Sequence, residues 1–319
     1  MALALSPSPH IHSGADTRRV MLDVLIALTP SVIAAALLFS LRALLLVLVT
    51  TAAACGTEAL FCVITKKKQT VSDLSAAVTG VILALNLPYT LPLWQAAVGG
   101  VFAALIVKML FGGIGKNFAN PAATARIVLI LSFAEMSAHT LTRFQRIDGV
   151  TSATPLTEIA NGTPLSELPS LLDLFLGNLG GAMGETCILA ILIGAVYLLC
   201  RRVITLHAPL AFIGASYLLT LALTGDLYLS FYLILSGGIL FAAVFMVTDY
   251  TTTPLSKAGQ VIFGVGCGII TVIIRHFGSL PEGVSYAILL MNILTPYIDK
   301  LSLLLRRPFG AIRKRGTAK

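Results

Sequence analysis

RALLLVLVTTAAACGTEALFCVI, residues 42–64, opens on Arg42 and afterwards carries one charge, Glu58, before the basic run Lys66, Lys67 and Lys68. A hydrocarbon core about 30 Å thick is crossed by about 20 apolar residues in a helix. The run is therefore predicted to span a membrane, with the lysines held at one surface. Within such a span a charge costs a few kcal/mol or more unless it is paired or hydrated, so Glu58 calls for a partner.

The rest of the chain repeats this pattern. Hydrophobic residues make up 57% of the 319 and charged ones 11%, and the mean hydropathy is +0.92. That composition excludes an ordinary soluble domain. Ten spans are predicted, near 20–38, 42–64, 73–88, 92–111, 121–138, 183–200, 206–224, 228–248, 258–275 and 284–301. The expected fold class is an all-α polytopic membrane protein. The first run follows a polar leader with Pro7, Pro9, Arg18 and Arg19 and continues past Ala34 to Ala36. It is longer than the apolar region of a cleaved signal peptide and is taken as a retained span.

The formal charge of +8 does not point to nucleic acid, because the basic residues gather at helix ends rather than on one face. They read as orientation signals. With the N-terminus inside, all of the 22 lysines and arginines except Arg42, Arg143, Arg146 and Arg275 fall on the cytoplasmic side. Both termini are then cytoplasmic, and the one long connection, residues 139–182, faces outside. Residues 1–138 and 183–319 form two five-span halves of opposite orientation within a single membrane domain. Such inverted repeats commonly build a ligand site from interrupted helices.

Several segments carry that interruption. NLPYTLP (86–92) breaks the apolar pattern between the third and fourth spans. FANPA (118–122) and TDYTTTP (248–254) place Asn, Thr or Asp beside Pro at a membrane boundary. Non-helical backbone survives at membrane depth only when buried in protein or lining a cavity, so Asn120, Pro121, Thr248 and Asp249 are candidate ligand or ion contacts. The plainer reading is that Pro121 and Pro254 merely begin helices, and both readings can hold together.

Asp23, Glu58, Glu135, Glu185 and Asp249 lie in or near spans. Asp23, Glu135 and Asp249 sit close to span ends, where water reaches them; Glu58 and Glu185 are less easily explained so. The cysteines, Cys55, Cys62, Cys187, Cys200 and Cys267, lie in or beside spans without a C-x-x-C, and the histidines show no ligand spacing. No metal site is expected.

DGVTSATPL, residues 148–156, lies in the long connection. Thr154-Pro155 with Glu158 in the first turn is a good helix start, Thr as N-cap and Pro at the first helical position. The stretch also resembles a flavin acceptor pattern, an Asp followed by Ser/Thr-Gly-Ala-Thr whose last Thr receives FMN through a phosphoester bond. Here it reads Asp148-Gly149-Val150-Thr151-Ser152-Ala153-Thr154, with Ser152 where Gly is usual.

Beyond that loop, SAAVTGVILALNLP (75–88), KMLFGGIGKNFANPAATAR (108–126), FMVTDYTTTP (245–254) and IRHFGSLPEGVSYAILLMNILTPYID (274–299) resemble the D subunits of Rnf ion-translocating electron transport complexes. That family is related to the B subunit of the sodium-pumping NADH:quinone oxidoreductase. The resemblance implies a component of a ferredoxin:NAD⁺ oxidoreductase in the cytoplasmic (inner) membrane, working with the other subunits of the Rnf complex. It implies covalent FMN on Thr154 attached by a flavin transferase, often a second noncovalent riboflavin, and electron passage coupled to Na⁺ or H⁺ movement. The chain has neither a nucleotide-binding fingerprint nor an iron–sulfur cysteine motif, so ferredoxin and NAD chemistry belong to partner proteins and no catalytic residue is assigned here. The competing expectation is a secondary transporter or channel without flavin.

Overall fold

The structure, a computed structural model, describes residues 16–137, 154–164, 168–278 and 283–306. Among the described residues all regular structure is helical. The order is α1 (Thr17–Leu38), α2 (Leu41–Ile64), α3 (Ser75–Leu85), α4 (Leu93–Phe102), which continues into a π-helical segment Ala103–Met109, and α5 (Pro121–Ser132). Two short helices follow, α6 (Pro155–Ala160) and α7 (Leu171–Leu176). The second group is α8 (Ile188–Cys200), α9 (His207–Thr224), α10 (Leu227–Leu235), α11 (Ile239–Phe245), α12 (Lys257–Phe277) and α13 (Val284–Arg306).

The stretch that opened the sequence is α2, and its burial is inverted relative to a water-soluble helix. Leu41, Leu45, Leu48, Leu60, Val63 and Ile64 are exposed, while Thr50 and Glu58 are buried against the other helices. Leucines turned outward and a carboxylate turned inward are stable only where the surrounding solvent is hydrocarbon. The protein crosses a membrane several times.

Among the described residues five helices are long and apolar enough to cross: Thr17–Leu38, Leu41–Ile64, His207–Thr224, Lys257–Phe277 and Val284–Leu304. The α10–α11 pair makes a sixth if counted as one span bent by 55°. The other four predicted runs contain shorter apolar helices, Ser75–Leu85, Leu93–Met109, Pro121–Ser132 and Ile188–Cys200.

Local chemistry explains why they are short. The helix α3 stops at Asn86 because Pro88 pushes the residue before it out of helical geometry. α5 starts only at Pro121, where the Asn120 side chain accepts from the backbone N–H groups of Ala122 and Ala123. α8 begins late because residues 182–186 pin themselves to the broken end of α3. Gly184 N–H donates to the Leu85 carbonyl at 2.6 Å and Met183 N–H to that of Leu87 at 3.2 Å.

Broken helices leave carbonyls without intrahelical partners. Two arginines take them up. Arg42 Nη2 donates to the carbonyls of Thr90 and Leu91 at 3.1 and 3.3 Å. Arg275 donates to those of Leu233 and Ser236, at the bend between α10 and α11, at 2.9 and 3.4 Å. Two of the four basic residues assigned to the outer side thus hold interrupted helices together.

Within the first group α2 packs on α3 and α4; within the second α12 packs on α9 and α13. The groups meet where α1 lies on α8 and α5 on α13. Glycines permit the close approaches, as small residues do between helices in lipid. A Cβ at Gly264 of α12 would lie 2.4 Å from the Ala208 carbonyl of α9, and one at Gly268 2.9 Å from Ala215 Cβ. Gly264→Leu is expected to cost about 1–3 kcal/mol by overpacking, read as a lowered unfolding midpoint in detergent. Gly214→Leu, at a position with nothing within 4 Å of its Cβ, is the control and should leave the midpoint in place.

Candidate functional site between the interrupted helices

The two Pro-containing segments singled out from sequence, far apart along the chain, come together. Asn120 caps α5, and its backbone N–H donates to Asn292 Oδ1 of α13 at 2.9 Å. Its Nδ2 lies 3.4 Å from Asp249 Oδ2 and 3.5 Å from the Met246 carbonyl. Asp249 in turn folds TDYTTTP about itself. Its Oδ1 accepts from the Thr251 N–H and hydroxyl at 3.1 and 2.9 Å, and its Oδ2 from the Thr252 hydroxyl at 3.3 Å. Asn292 Nδ2 and the Thr295 hydroxyl both donate to the Thr252 carbonyl. Pro121 occupies the first helical position, so the helix-start reading holds for this segment. Thr248 donates to the Val244 carbonyl at 2.5 Å.

Asn120, Pro121, Thr248 and Asp249 all border one cavity. The space between its walls, its open mouth included, is about 740 Å³, of which about 80 Å³ is open to the centre of a water molecule. Its walls are mostly apolar, from Val24 and Val78 to Ile204 and Phe245, with a few polar side chains among them, Ser75, Lys108 and Asn117 included. Apolar walls with a few convergent polar groups are the usual form of a small-molecule site. Asn117 Oδ1 is buried and makes no hydrogen bond with any described residue.

Lys108 answers the question Glu58 posed. It lies on the π-helical segment that continues α4, only 2% exposed, and Glu58 on α2 is fully buried. Lys108 Nζ stands 2.7 Å from Glu58 Oε2 and 2.5 Å from Ser75 Oγ. Thr70 donates to Glu58 Oε1, and the Ser75 hydroxyl donates to Asp73. A continuous polar chain therefore runs Thr70, Glu58, Lys108, Ser75, Asp73, and it touches the cavity through Lys108 and Ser75. A buried pair roughly breaks even against an apolar one, so it is weak as a stability device. It stands beside a cavity, on a π-helical turn of the kind that recurs at functional sites, with two of the three Lys108 ammonium protons directed at Glu58 and Ser75.

Arg126 is likewise buried, and donates to Asn86 Oδ1 at 3.1 Å. A Cβ at Gly238 would lie 3.1 Å from Glu185 Oε2 and 3.7 Å from Arg126 Nη1, so the carboxylate and guanidinium flank one glycine at the α10–α11 bend. Glu185 Oε1 accepts from the Ala182 N–H at 2.9 Å. Lys108 and Arg126, assigned from the sequence to the cytoplasmic side, both lie buried inside the bundle. The signal available in the sequence was a lysine in the otherwise apolar run 92–111, which by default marks function. Of the remaining acids, Asp23 is held by Arg201 and Tyr197, and Glu135 is exposed.

Thr154 borders other ground. It is the N-cap of α6, 6% exposed, with Pro155 at the first helical position and its Oγ1 accepting from Thr157 N–H at 3.3 Å. The same oxygen lies 2.8 Å from the Thr157 hydroxyl. α6 sits against the α10–α11 bend at Gly237, whose φ of +75° favours glycine. A Cβ there would meet Arg275 Nη2 at 3.0 Å and Leu156 Cδ1 at 3.1 Å. Beside it is a hollow of about 1,120 Å³, open solvent included, lined by Leu156, Ile159, Leu233, Arg275 and His276 among others. Partial burial raises the Glu158 carboxyl above its ordinary range. Asp148, Ser152 and Ala153, together with Arg143 and Arg146, lie outside the described residues.

Long apolar helices, together with interrupted ones whose broken ends meet around a cavity with polar groups in its walls, define a polytopic membrane protein. Comparison with known proteins makes the class specific. The chain belongs to the NQR2, RnfD, RnfE family, whose profile matches residues 4–307. It is 44% identical over 304 residues to the D subunit of the Na(+)-translocating ferredoxin:NAD(+) oxidoreductase complex of Acetobacterium woodii, covering 94% of this chain and 93% of that one. It is 34% identical to the D subunit of the proton-translocating ferredoxin:NAD(+) oxidoreductase complex of Clostridium ljungdahlii, covering 93% and 94%. It is 33% identical to the D subunit of the ion-translocating oxidoreductase complex of Escherichia coli, covering 94% and 96%.

Proposed function

We propose that this chain is the D subunit of an ion-translocating ferredoxin:NAD⁺ oxidoreductase complex, a membrane flavoprotein that passes electrons within the assembly. The observation that carries this reading is likeness over nearly the whole length to proteins so named, the Acetobacterium woodii protein at 44% identity among them. Electrons arrive from and leave to the other subunits, which hold the ferredoxin and NAD sites. The ion moved is Na⁺ or H⁺, since relatives of each name are similar along the same span.

In this reading Thr154 carries FMN through its Oγ1 as a phosphoester made by a flavin transferase, with Asp148, Ser152 and Ala153 as the rest of the acceptor. The residues fit the group. Thr154 offers a hydroxyl, the α6 N-terminus offers backbone N–H groups to a phosphate, and the adjoining hollow combines apolar walls with the Arg275 cation. Because Thr154 is buried, the transferase acts before α6 packs against the α10–α11 bend. The central cavity holds a second, noncovalent flavin of the riboflavin type, which spreads the walls as it enters. Those apolar walls suit a flat heteroaromatic ring, Asn117 Oδ1 offers a buried acceptor for a ring N–H, and Lys108 offers a cation to ring oxygens. A bound flavin supplies the one- and two-electron chemistry, and the protein positions it and tunes it by charge.

The topology in this proposal is ten crossings in an inverted five-plus-five arrangement, residues 1–138 and 183–319, joined by the extracytoplasmic loop 139–182. The short helices α3, α5 and α8 then complete their crossings with backbone shielded inside protein. Both termini are cytoplasmic and the membrane is the inner one. A transporter without flavin is the competing reading, favoured only by the broken helices around a cavity.

One measurement bears on the cavity directly. Purified complex made with its flavin transferase is expected to release one flavin from this chain on denaturation and keep another on the polypeptide. Asn117→Ala should weaken retention of the released flavin by about fivefold, the loss of one hydrogen bond of about 1 kcal/mol. Unchanged retention would remove Asn117 from the site; no released flavin in the wild type would remove the second flavin.

A further inference from the structure

A groove of about 1,080 Å³, open solvent included, lies between the first turn of α1 and the turn joining α8 to α9, lined by Thr17, Arg19, Asp23, Arg201, Arg202 and Tyr250 among others. Three of these carry positive charge and one negative. Asp23 is consumed by Arg201, whose Nε and Nη2 each lie 3.2 Å from one of its oxygens, and by the Tyr197 hydroxyl at 3.0 Å. That pair fixes the Arg201 guanidinium in the groove wall with three of its five N–H groups left over. Arg19 and Arg202 make no ion pair with any described residue. Arg202 is also held at φ +57°, a left-handed conformation that glycine adopts freely and an arginine does not.

Arg19 comes from the first helix group and Arg201 and Arg202 from the second, so three guanidinium groups face one hollow across the joint between α1 and α8. Alone, they repel one another across that joint. The outward faces of the same two helices carry exposed Leu22, Ile26, Ile193 and Val196. A basic pocket at the end of two membrane helices, bordered by lipid-facing apolar residues, is the pattern that receives an anionic lipid headgroup.

We propose that this groove binds the phosphate headgroup of an anionic phospholipid, with Arg19 and Arg202 as its ligands and Arg201 as the fixed wall, strapping α1 to α8. Its acyl chains lie along the exposed faces of the two helices. The headgroup sits at the mouth of the central cavity, because Val20, Val203 and Tyr250 line both spaces. The lipid site is independent of the flavin reading.

The test uses the full chain in neutral detergent, with phosphatidylglycerol and phosphatidylcholine as probes. Lipid retention is counted by native mass spectrometry and the unfolding midpoint is followed in parallel. Phosphatidylglycerol is expected to be retained over phosphatidylcholine and to raise the midpoint. R19Q/R202Q is expected to lower that retention by about thirtyfold, the product of two headgroup contacts. K66Q/K67Q, which removes the same charge away from the groove, should retain the lipid as the wild type does. Equal retention by R19Q/R202Q and wild type would overturn the proposal. So would displacement of the lipid by excess inorganic phosphate, which would assign the groove to a free anion, or equal retention of the two lipids. A folded R19Q/R202Q variant is confirmed by its helical circular dichroism before comparison.

Discussion

Thr154→Val is expected to leave the polypeptide dark under ultraviolet light after denaturation in SDS, where the wild type, made with its flavin transferase, fluoresces. The effect is all or none, because a phosphoester needs the hydroxyl oxygen and the isosteric valine has none. Valine also removes the N-cap of α6, which costs about 1 kcal/mol, so a second variant separates chemistry from folding. Thr154→Asn keeps a strong N-cap but offers an amide in place of a hydroxyl. It should be dark as well, with wild-type assembly into the complex. A dark wild-type band would sink the covalent-flavin reading and leave the transporter reading ahead.

The second large effect belongs to the buried pair. Lys108→Met strips Glu58 of its cation while both positions remain closed to water, and breaking one partner of a buried pair costs about 3–5 kcal/mol. The unfolding midpoint in detergent should fall accordingly. Glu58→Gln combined with Lys108→Met removes both charges together and should recover much of that loss, since residues in direct contact are coupled. The double variant then isolates the function. If Lys108 serves only packing and charge balance, flavin retention in the stable double variant matches the wild type. If it supplies the cation for the cavity's ligand, retention falls although stability is restored. A Lys108→Met variant as stable as wild type would mean that water or an ion reaches Glu58.

Much of this protein was legible without coordinates. The membrane class follows from hydropathy, and α1, α2, α9, α12 and α13 begin and end within a few residues of the predicted runs. The starts of α5 and α6 follow from Asn120-Pro121 and Thr154-Pro155, because a cap is made by residues two or three apart. Lengths were less well predicted where apolar composition continues through a break. Residues 183–187 read as the beginning of a span, yet the backbone N–H groups of Met183 and Gly184 go to Leu87 and Leu85 across the bundle. Hydropathy cannot register that, because it records transfer from water and not the partner a carbonyl finds.

The same limit applies to charge. The charge bias places Lys108 and Arg126 on the cytoplasmic side but does not register that both are buried. Glu58 and Lys108 stand 50 residues apart in the chain, and no local pattern links them.

By itself, then, the sequence determined the solvent this chain lives in and the places where several of its helices start, since these depend on composition and on neighbours within one helical turn. Only the tertiary structure decided that Asn120 meets Asp249, that Lys108 pairs with Glu58 beside a cavity, and that Arg275 tends the bend over which α6 rests. Those contacts join residues far apart in the chain, and a broken helix leaves polar groups that only another part of the chain can satisfy.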